Sequence, residues 1–421
     1  MKGGVIIRKD PFYRWIILLA MVPIIIATET MWLSFAPIAS QAEEYYGVSS
    51  LAITWCSLSY MVMFIVFSLP ASWVIDRWGY RTSIIIGAVI TALFGLLRAV
   101  FAEHWTLVLI MQFLIAIGQP FLLNITTKAA ANWFPMSERS TAAGILTMAQ
   151  YLGFVVPMVV APIVAESSGI PDMLMVFAII AIAAAGIAII FTKEKPLAPI
   201  SDDTPPREAV SLASIRSLAV NRGYSLIMLV SFISIGIFNT LLTLIDTILS
   251  PRGLTSEESG IVGAVFIVAG IIGAVLLPLL SDKYRIRVPF FTGAIAILLP
   301  ALIGLTYVNE VVWIAIIAGI AGFAIMGVAP ILFQHGSEAA YPIPEGTSLG
   351  MILLMGQVSG ALFVYLFQLL VDSSGSIAPP MLIFAGMTAI MLPLTFRMKA
   401  GRGQTAIHPS NQTPLGPGSS Q

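Results

Sequence analysis

Twelve stretches of about twenty apolar residues recur along this chain, each long enough as a helix to cross the hydrocarbon core of a bilayer. They fall at 14–40, 50–75, 82–101, 105–131, 139–165, 172–192, 224–249, 257–281, 288–307, 311–335, 346–371 and 377–396. Lipid offers no partner to a bare N–H or C=O, so a spanning segment without a barrel pattern must be helical. Several spans exceed the minimum, which implies tilt or ends beyond the lipid. Pro23, Pro37, Pro120, Pro157, Pro162, Pro278 and Pro330 lie inside them. Neighbouring helices re-satisfy the carbonyls a proline frees, so all twelve are expected to stay helical. The composition demands the same solvent: of 421 residues 58% are hydrophobic and 10% charged, against roughly a quarter charged in a soluble domain.

The same composition excludes other classes. Lys+Arg and Asp+Glu balance at 21 each, which removes the electrostatic case for nucleic acid. Cys56 is the single cysteine, and His104, His335 and His408 are far apart, so no metal site or disulfide is expected. There is no nucleophile–base pattern and no phosphate-binding G-x-x-x-x-G-K-[ST]. An enzyme is therefore not expected, nor a cofactor; transport would be facilitative or driven by a gradient.

Basic residues set the orientation. Placing both ends and the even-numbered loops on one side collects all but two of the 21 Lys and Arg. Only Arg98 and Arg252 fall on the other face, with Glu43, Glu44, Glu103, Glu166, Asp172, Glu257, Glu258, Glu310 and Asp372. The expected plan is a cytoplasmic N-terminus (1–13), a six-helix bundle (14–192), a cytoplasmic linker (193–223), a second six-helix bundle (224–396) and a disordered cytoplasmic tail (397–421). Pro196, Pro199, Pro205 and Pro206 mark the linker. The chain is read as a multi-pass protein of the cell membrane.

An internal repeat joins the bundles. WFPMSERSTAAGILTMAQYLG (133–153) and AYPIPEGTSLGMILLMGQVSG (340–360) align at a constant offset. Pro135 meets Pro342, Glu138 meets Glu345, Gln150 meets Gln357 and Gly153 meets Gly360. The same register carries Lys128 to His335 and Trp32 to Asn239. Two parallel six-helix halves around a midplane site are the pattern of the major facilitator fold. The fold class is thus all-α membrane protein, twelve transmembrane helices in two pseudo-symmetric bundles. Asp76-Arg77-Trp78-Gly79-Tyr80-Arg81 resembles the loop signature of that superfamily, and Ser281-Asp282-Lys283-Tyr284-Arg285 is a degraded copy. The resemblance implies gating roles for Asp76, Arg77 and Arg81. Lys128, His335 and Glu338 at the inner ends are further gating candidates.

Longer stretches resemble one branch of the superfamily. YYGVSSLAITWCSLSYM (45–61), PASWVIDRWGYR (70–81), GIFNTLLTLID (236–246) and EAAYPIPEGTSLGMILLMGQVSG (338–360) are similar to transporters related to the feline leukaemia virus subgroup C receptor. That resemblance implies choline and related amines, or haem, as cargo. It also implies a cage in which a first-helix Trp and a seventh-helix Tyr sandwich an ammonium beside two Gln. Trp32, Gln150 and Gln357 fall on three of these positions; the fourth is Asn239, and Phe238 reaches that wall only if the seventh helix is rotated.

The residues themselves add to this. Glu29 and Trp32 are three apart and share a face of the first helix. An intramembrane acid costs about 3 kcal/mol on insertion scales and usually faces a cavity or a partner. A carboxylate beside an indole attracts a cation by charge and by the ring quadrupole; pairing with Lys128 or another helix is the structural alternative. Asn239, Thr243 and Asp246 form a stripe on the seventh span, with Asp246 either an outer gate or proton site or a solvated end. Gln112, Gln119 and Thr126 form another on the fourth, as suited to packing as to function. Arg98 is expected to snorkel to the outer surface without a role.

The favoured reading is a monomeric secondary or facilitative transporter of a small organic cation or amine, using protons or another coupling ion. An organic anion, drug or porphyrin is the alternative cargo, disfavoured for dianions by the lack of a midplane base. A non-transporting receptor on the same scaffold is the third reading, disfavoured by short loops.

Overall fold

The computed structural model describes residues 12–194, 218, 220–284, 286–341, 343 and 345–398, with the side chains of 136, 137 and 345–347 left aside. The expected N-terminal segment to 11, most of the linker, the tail beyond 398 and the Glu345 side chain lie outside the described residues. Twelve helices within them are long and apolar enough to span: α1 (Tyr13–Tyr46), α2 (Ser50–Trp78), α3 (Tyr80–Val100), α4 (Trp105–Trp133), α5 (Glu138–Ser168) and α6 (Ile170–Phe191), then α7 (Arg222–Thr243), α8 (Ser256–Tyr284), α9 (Val288–Tyr307), α10 (Val311–Ala339), α11 (Ser348–Ser374) and α12 (Ala378–Thr395). These match the twelve sequence-predicted spans. Consecutive spans alternate direction, so Tyr13, Phe191, Arg222 and Thr395 share one face, the termini-bearing face. The opposite face is called distal.

Six of the seven prolines stay inside helices, as expected. Pro37 does not. The regular helix of α1 stops at Trp32, a 3-10 turn covers Ala36–Ile38, and helix resumes at Ala39–Tyr46. A proline has no N–H to donate and its ring opposes the carbonyl one turn back, so the break forms there. α7 breaks at the repeat-related place: it ends at Thr243, passes Leu244 and restarts as Ile245–Leu249. No proline enforces that second break.

Small residues set the packing. Gly322 of α10 lies against the Phe266 backbone of α8, and Gly273 of α8 against that of Phe323 in α10. In the other half, Gly87 of α3 faces Gly118 of α4, where an added Cβ would stand 2.9 Å from the Gly118 carbonyl oxygen. Close backbone approach of this kind drives helix association where lipid removes the hydrophobic incentive. The halves meet along two seams, α5 on α8 and α2 on α11. Gly260 and Gly263 of α8 seat Met158 of α5, and Trp55 of α2 lies 6.4 Å from Tyr365 of α11. Both seams run from mid-membrane toward the distal face.

Gly322→Ala, whose methyl would collide with the Phe266 carbonyl, is expected to cost about 1–3 kcal/mol as an overpacking change. Gly293→Ala, which meets open space, should leave stability unchanged. Thermal unfolding in detergent, followed by tryptophan fluorescence, compares the two.

Candidate functional site

The break in α1 is where the polar residues gather. Helix ends leave polar groups without partners, and here side chains of two neighbouring helices supply them. Gln112 of α4 donates from Nε2 to the Met31 carbonyl at 3.1 Å and to the Cys56 carbonyl of α2 at 3.2 Å. Its Oε1 accepts from Nη1 of Arg98 on α3. Arg98 also donates to Ser34 Oγ at 3.1 Å and to Met31 Sδ at 2.9 Å, and its guanidinium lies 5.9 Å from the Phe35 ring centroid. The residue is fully buried. The expectation of a snorkelling arginine is therefore corrected: a position two residues from a helix end does not fix the side-chain direction, and this one points inward. A cation beside the carbonyl end of a helix is favoured by the helix dipole. Arg252, the other base on the distal face, acts likewise, donating to the carbonyls of Val308 (2.8 Å), Thr306 (3.2 Å) and Leu305 at the end of α9. Both exceptions to the charge asymmetry serve helix ends.

Beyond the break, the halves are latched. Asp246 Oδ2 accepts from the Ser40 N–H at 2.7 Å and from Ser40 Oγ at 2.6 Å, and the residue is fully buried. Of the two readings of Asp246, a solvated end is corrected to a buried contact between α1 and the short helix after α7. Thr243, next on the stripe, is buried with no partner for its hydroxyl among the described residues. A crevice of about 320 Å³ on the distal face, lined by Ser40, Gln41, Glu44, Glu166, Thr255 and Ser256, stops at this latch. A second bond between the halves, Thr54 Oγ1 of α2 to Gln368 Oε1 of α11 at 3.3 Å, lies on the same side of the membrane.

Below the latch an aromatic row crosses between the halves. Trp32 donates from Nε1 to the Ser57 carbonyl at 3.2 Å and meets Phe154 of α5 edge-on at 5.5 Å between centroids. Phe154 is 6.0 Å from Tyr151 and 6.3 Å from Phe238 of α7, and Phe238 stacks on Phe266 of α8 at 6.0 Å. So α7 does present Phe238 toward the tryptophan, through Phe154. Asn239 turns elsewhere, its Nδ2 placed 3.5 Å from the Gly356 carbonyl of α11. The structure brings Trp32 and Phe238 into one row; Asn239 joins the α7–α11 contact instead. Phe154 was not singled out in the sequence; its one signal is its place a turn beyond Gln150.

Glu29 sits a turn from Trp32, and its Oε2 accepts from Gln119 Nε2 of α4 at 3.0 Å. Both residues are buried, Glu29 to 2% exposure. Lys128, the proposed structural partner, is elsewhere, bonded to the Ile75 carbonyl at 2.5 Å and to Asp76 at 3.2 Å. The repeated Gln-x-x-Gly now has a physical meaning. A Cβ on Gly153 would stand 2.6 Å from the Glu29 Cβ and 2.8 Å from the Ile26 carbonyl, so α1 presses on α5 there. Gly360 admits Asn239 of α7 in the same way. Gln150 and Gln357 lie one turn nearer the termini-bearing face, and both are partly exposed.

The remaining gating candidates pair within their own halves. Arg14 binds Glu138 at 2.7 Å, Lys128 binds Asp76, and Arg287 binds Glu338 at 2.6 Å. Arg77 covers the Trp73 ring at 5.7 Å. The backbone N–H groups of Tyr80 and Arg81 donate to the Glu194 carboxylate, at 3.3 and 2.8 Å. That carboxylate lies under Gly79, whose φ of +91° and lack of a Cβ make the room. His335 packs 5.6 Å from Phe291 with Nδ1 unpartnered among the described residues.

The sequence model of the Major Facilitator Superfamily matches residues 12–364. Solute carrier family 49 member A3 of Danio rerio is 29% identical over 408 residues, covering 90% of this chain and 85% of the relative. The choline/ethanolamine transporter flvcr2a of Danio rerio is 26% identical over 433 residues, covering 94% and 91%. Among solved structures, a bacterial homologue of the human lysosomal transporter Spinster, inward-facing and unoccupied, superposes with a TM-score of 0.72 at 18% identity, over 93% of this chain and 97% of that one. The last supports the fold.

Gln112→Leu strips Arg98 of an acceptor and the Met31 carbonyl of one of its two side-chain donors, Ser34 Oγ remaining. A hydrogen bond to a buried charged group contributes about 1.5–3 kcal/mol. The Arg98→Met, Gln112→Leu pair should recover part of that loss, so a double-mutant cycle by thermal unfolding gives a coupling well above zero.

Proposed function

The chain belongs to the Major Facilitator Superfamily, a class of multi-pass membrane transporters and not enzymes, and we propose that it carries a small organic cation or amine. The observation that carries this reading is a buried carboxylate, Glu29, one turn from the Trp32 indole, with no basic side chain bonded to it among the described residues. Charge and ring quadrupole act together on an ammonium at such a place. Trp32, Phe154 and Phe238 form the aromatic wall, and Gln150 and Gln357 offer neutral donors and acceptors below it. A relative whose name assigns it choline and ethanolamine supports the same cargo class.

The proposed setting is the cell membrane, with residues 1–13, 193–223 and 397–421 on the cytoplasmic side, since the termini-bearing face carries nearly every base. In that orientation the two bonds joining the halves, at Ser40–Asp246 and Thr54–Gln368, close the outward path. Alternating access follows if residues 14–192 rock against 224–396, releasing the Asp246 latch as the inner ends close. One chain supplies both walls, so the unit of transport is a monomer.

Truncating Trp32 to Ala removes a ring face worth about 2 kcal/mol when desolvated, a loss of roughly thirtyfold in affinity for choline or ethanolamine. Trp32→Phe should lose less. Equilibrium binding to purified protein tests both, and wild-type affinity in Trp32→Ala refutes the assignment. For the orientation, single cysteines in a Cys56→Ala background are labelled with an impermeant maleimide on intact cells. Ser256→Cys should react and Ser201→Cys should not; the reverse pattern inverts the topology.

A further inference from the structure

Glu29 is in an unusual electrostatic position. Its carboxylate is buried, accepts one amide hydrogen bond from Gln119, and touches no cation. The helices α2 to α6 pack on the Tyr13–Trp32 part of α1, where Glu29 lies. On α3, Arg98 is held by Gln112 and Ser34. On α4 the one base, Lys128, is on Asp76. α5 brings Tyr151, inside the aromatic row, and Glu138, paired with Arg14. From α2 comes the neutral hydroxyl of Tyr60, and α6 has no titratable group except Asp172 at its distal end. Among the described residues no basic group contacts Glu29, and a bare carboxylate is not stable in such surroundings.

Something else must neutralise it, and two species qualify: a proton, or the cationic head of the substrate. Both need the same pair of oxygens. The neighbour suits either state, because an amide donates to a carboxylate and, turned over, accepts from the O–H of the acid. Gly153 holds the Glu29 stem close against α5, so the carboxyl has little freedom to retreat from the site.

We propose that Glu29 is a shared site at which a proton and the organic cation exclude one another, making this protein a proton–organic cation exchanger. The inference rests on the cation reading above. When the ammonium arrives, the Glu29 O–H bond breaks, the proton leaves to water on the open side, and the carboxylate keeps the electron pair and holds the cation. On the other face a proton re-enters the same oxygen as the cation departs. A carrier with neither partner would have to occlude a naked carboxylate, so empty return is suppressed and the two fluxes are tied. Asp246 stands apart from this site, its Oδ2 held by Ser40 at the latch between the halves.

Choline is the probe, because its charge does not titrate. Titration of purified full-length protein by calorimetry, in two buffers of different ionisation enthalpy, counts protons released on binding. Wild type should release up to one proton per choline. Its Kd should tighten as pH rises, by up to about tenfold per unit, as the proton competes less. Glu29→Gln should bind choline more weakly, with a flat pH profile and no release. In proteoliposomes a choline gradient should drive protons the opposite way, read by a trapped pH dye, and Glu29→Gln should abolish this. Choline binding by wild type with no proton release and a pH-independent Kd overturns the exchange while leaving the cation reading intact. Proton release that persists in Glu29→Gln also overturns it. If wild type binds neither choline nor ethanolamine, the cation reading itself fails, and the exchange with it.

Discussion

Lipid will not hydrogen-bond a carbonyl, and the arrangement of polar side chains in this protein follows from that constraint. Ten of the twelve spans meet it by running as continuous helix, and α4 turns briefly at Asn124 and Ile125. α1 does not, because Pro37 interrupts it inside the membrane. The carbonyls freed at Met31 and the turn at Ser34 would be costly if left bare. Gln112 and Arg98 supply the donors, and the charge of Arg98 also complements the dipole of the helix that ends there. The clamp fixes the direction in which Trp32 emerges from the last turn of that helix. It also sets where Ala39–Tyr46 starts, and hence where Ser40 meets Asp246. Cage wall and distal latch both hang on one break and the residues that satisfy it.

The two halves share a plan and differ in what they do with it. Gln-x-x-Gly repeats, and in both copies the glycine lets a neighbouring helix press in. The helix pressed in carries Glu29 in one half and Asn239 in the other. One copy thus places an acid in the membrane and the other an amide. A site on a pseudo-two-fold axis needs no chemical symmetry, and this one concentrates charge and the larger ring in the first half. The second half contributes Phe238, the amide of Gln357 and, through Asp246, the closure.

Much of this was legible in the sequence because lipid makes sequence patterns blunt. The twelve spans, the repeat and the charge asymmetry all rest on counts over twenty residues, which no single side chain upsets. The misreadings sit where direction mattered more than position. Arg98 lies near a helix end, and nothing in the local pattern says that its side chain turns inward toward α1. Pro37 resembles the other prolines in the spans, yet the structure puts the break there, beside donors on α3 and α4. Phe154 is one aromatic among many in an apolar stretch, and only the tertiary approach of α7 reveals it as the link between Trp32 and Phe238. Glu29, by contrast, stood out early, since an acid in a span is rare enough to need a reason.

Rocking of two halves requires bonds that survive the motion and bonds that do not, and the structure separates them in space. The ion pairs at the termini-bearing end, Arg14–Glu138, Lys128–Asp76 and Arg287–Glu338, each join helices of one half. The Glu194 cap on α3 does the same. Such contacts stiffen each bundle and need not break when the bundles tilt. The bonds between halves are fewer: Ser40 with Asp246, Thr54 with Gln368, and the methionine seated in the glycines of α8. A charge-assisted bond of the Ser40–Asp246 kind contributes about 1.5–3 kcal/mol net, a range that the proposed substrate's preference for one state can offset. A latch built from a buried acid–base pair would cost more to open, because each partner would be stranded. Hydroxyl and backbone donors leave Ser40 neutral when released, and Ser40 itself lines the distal crevice. The latch is strong enough to hold one state and weak enough to exchange it.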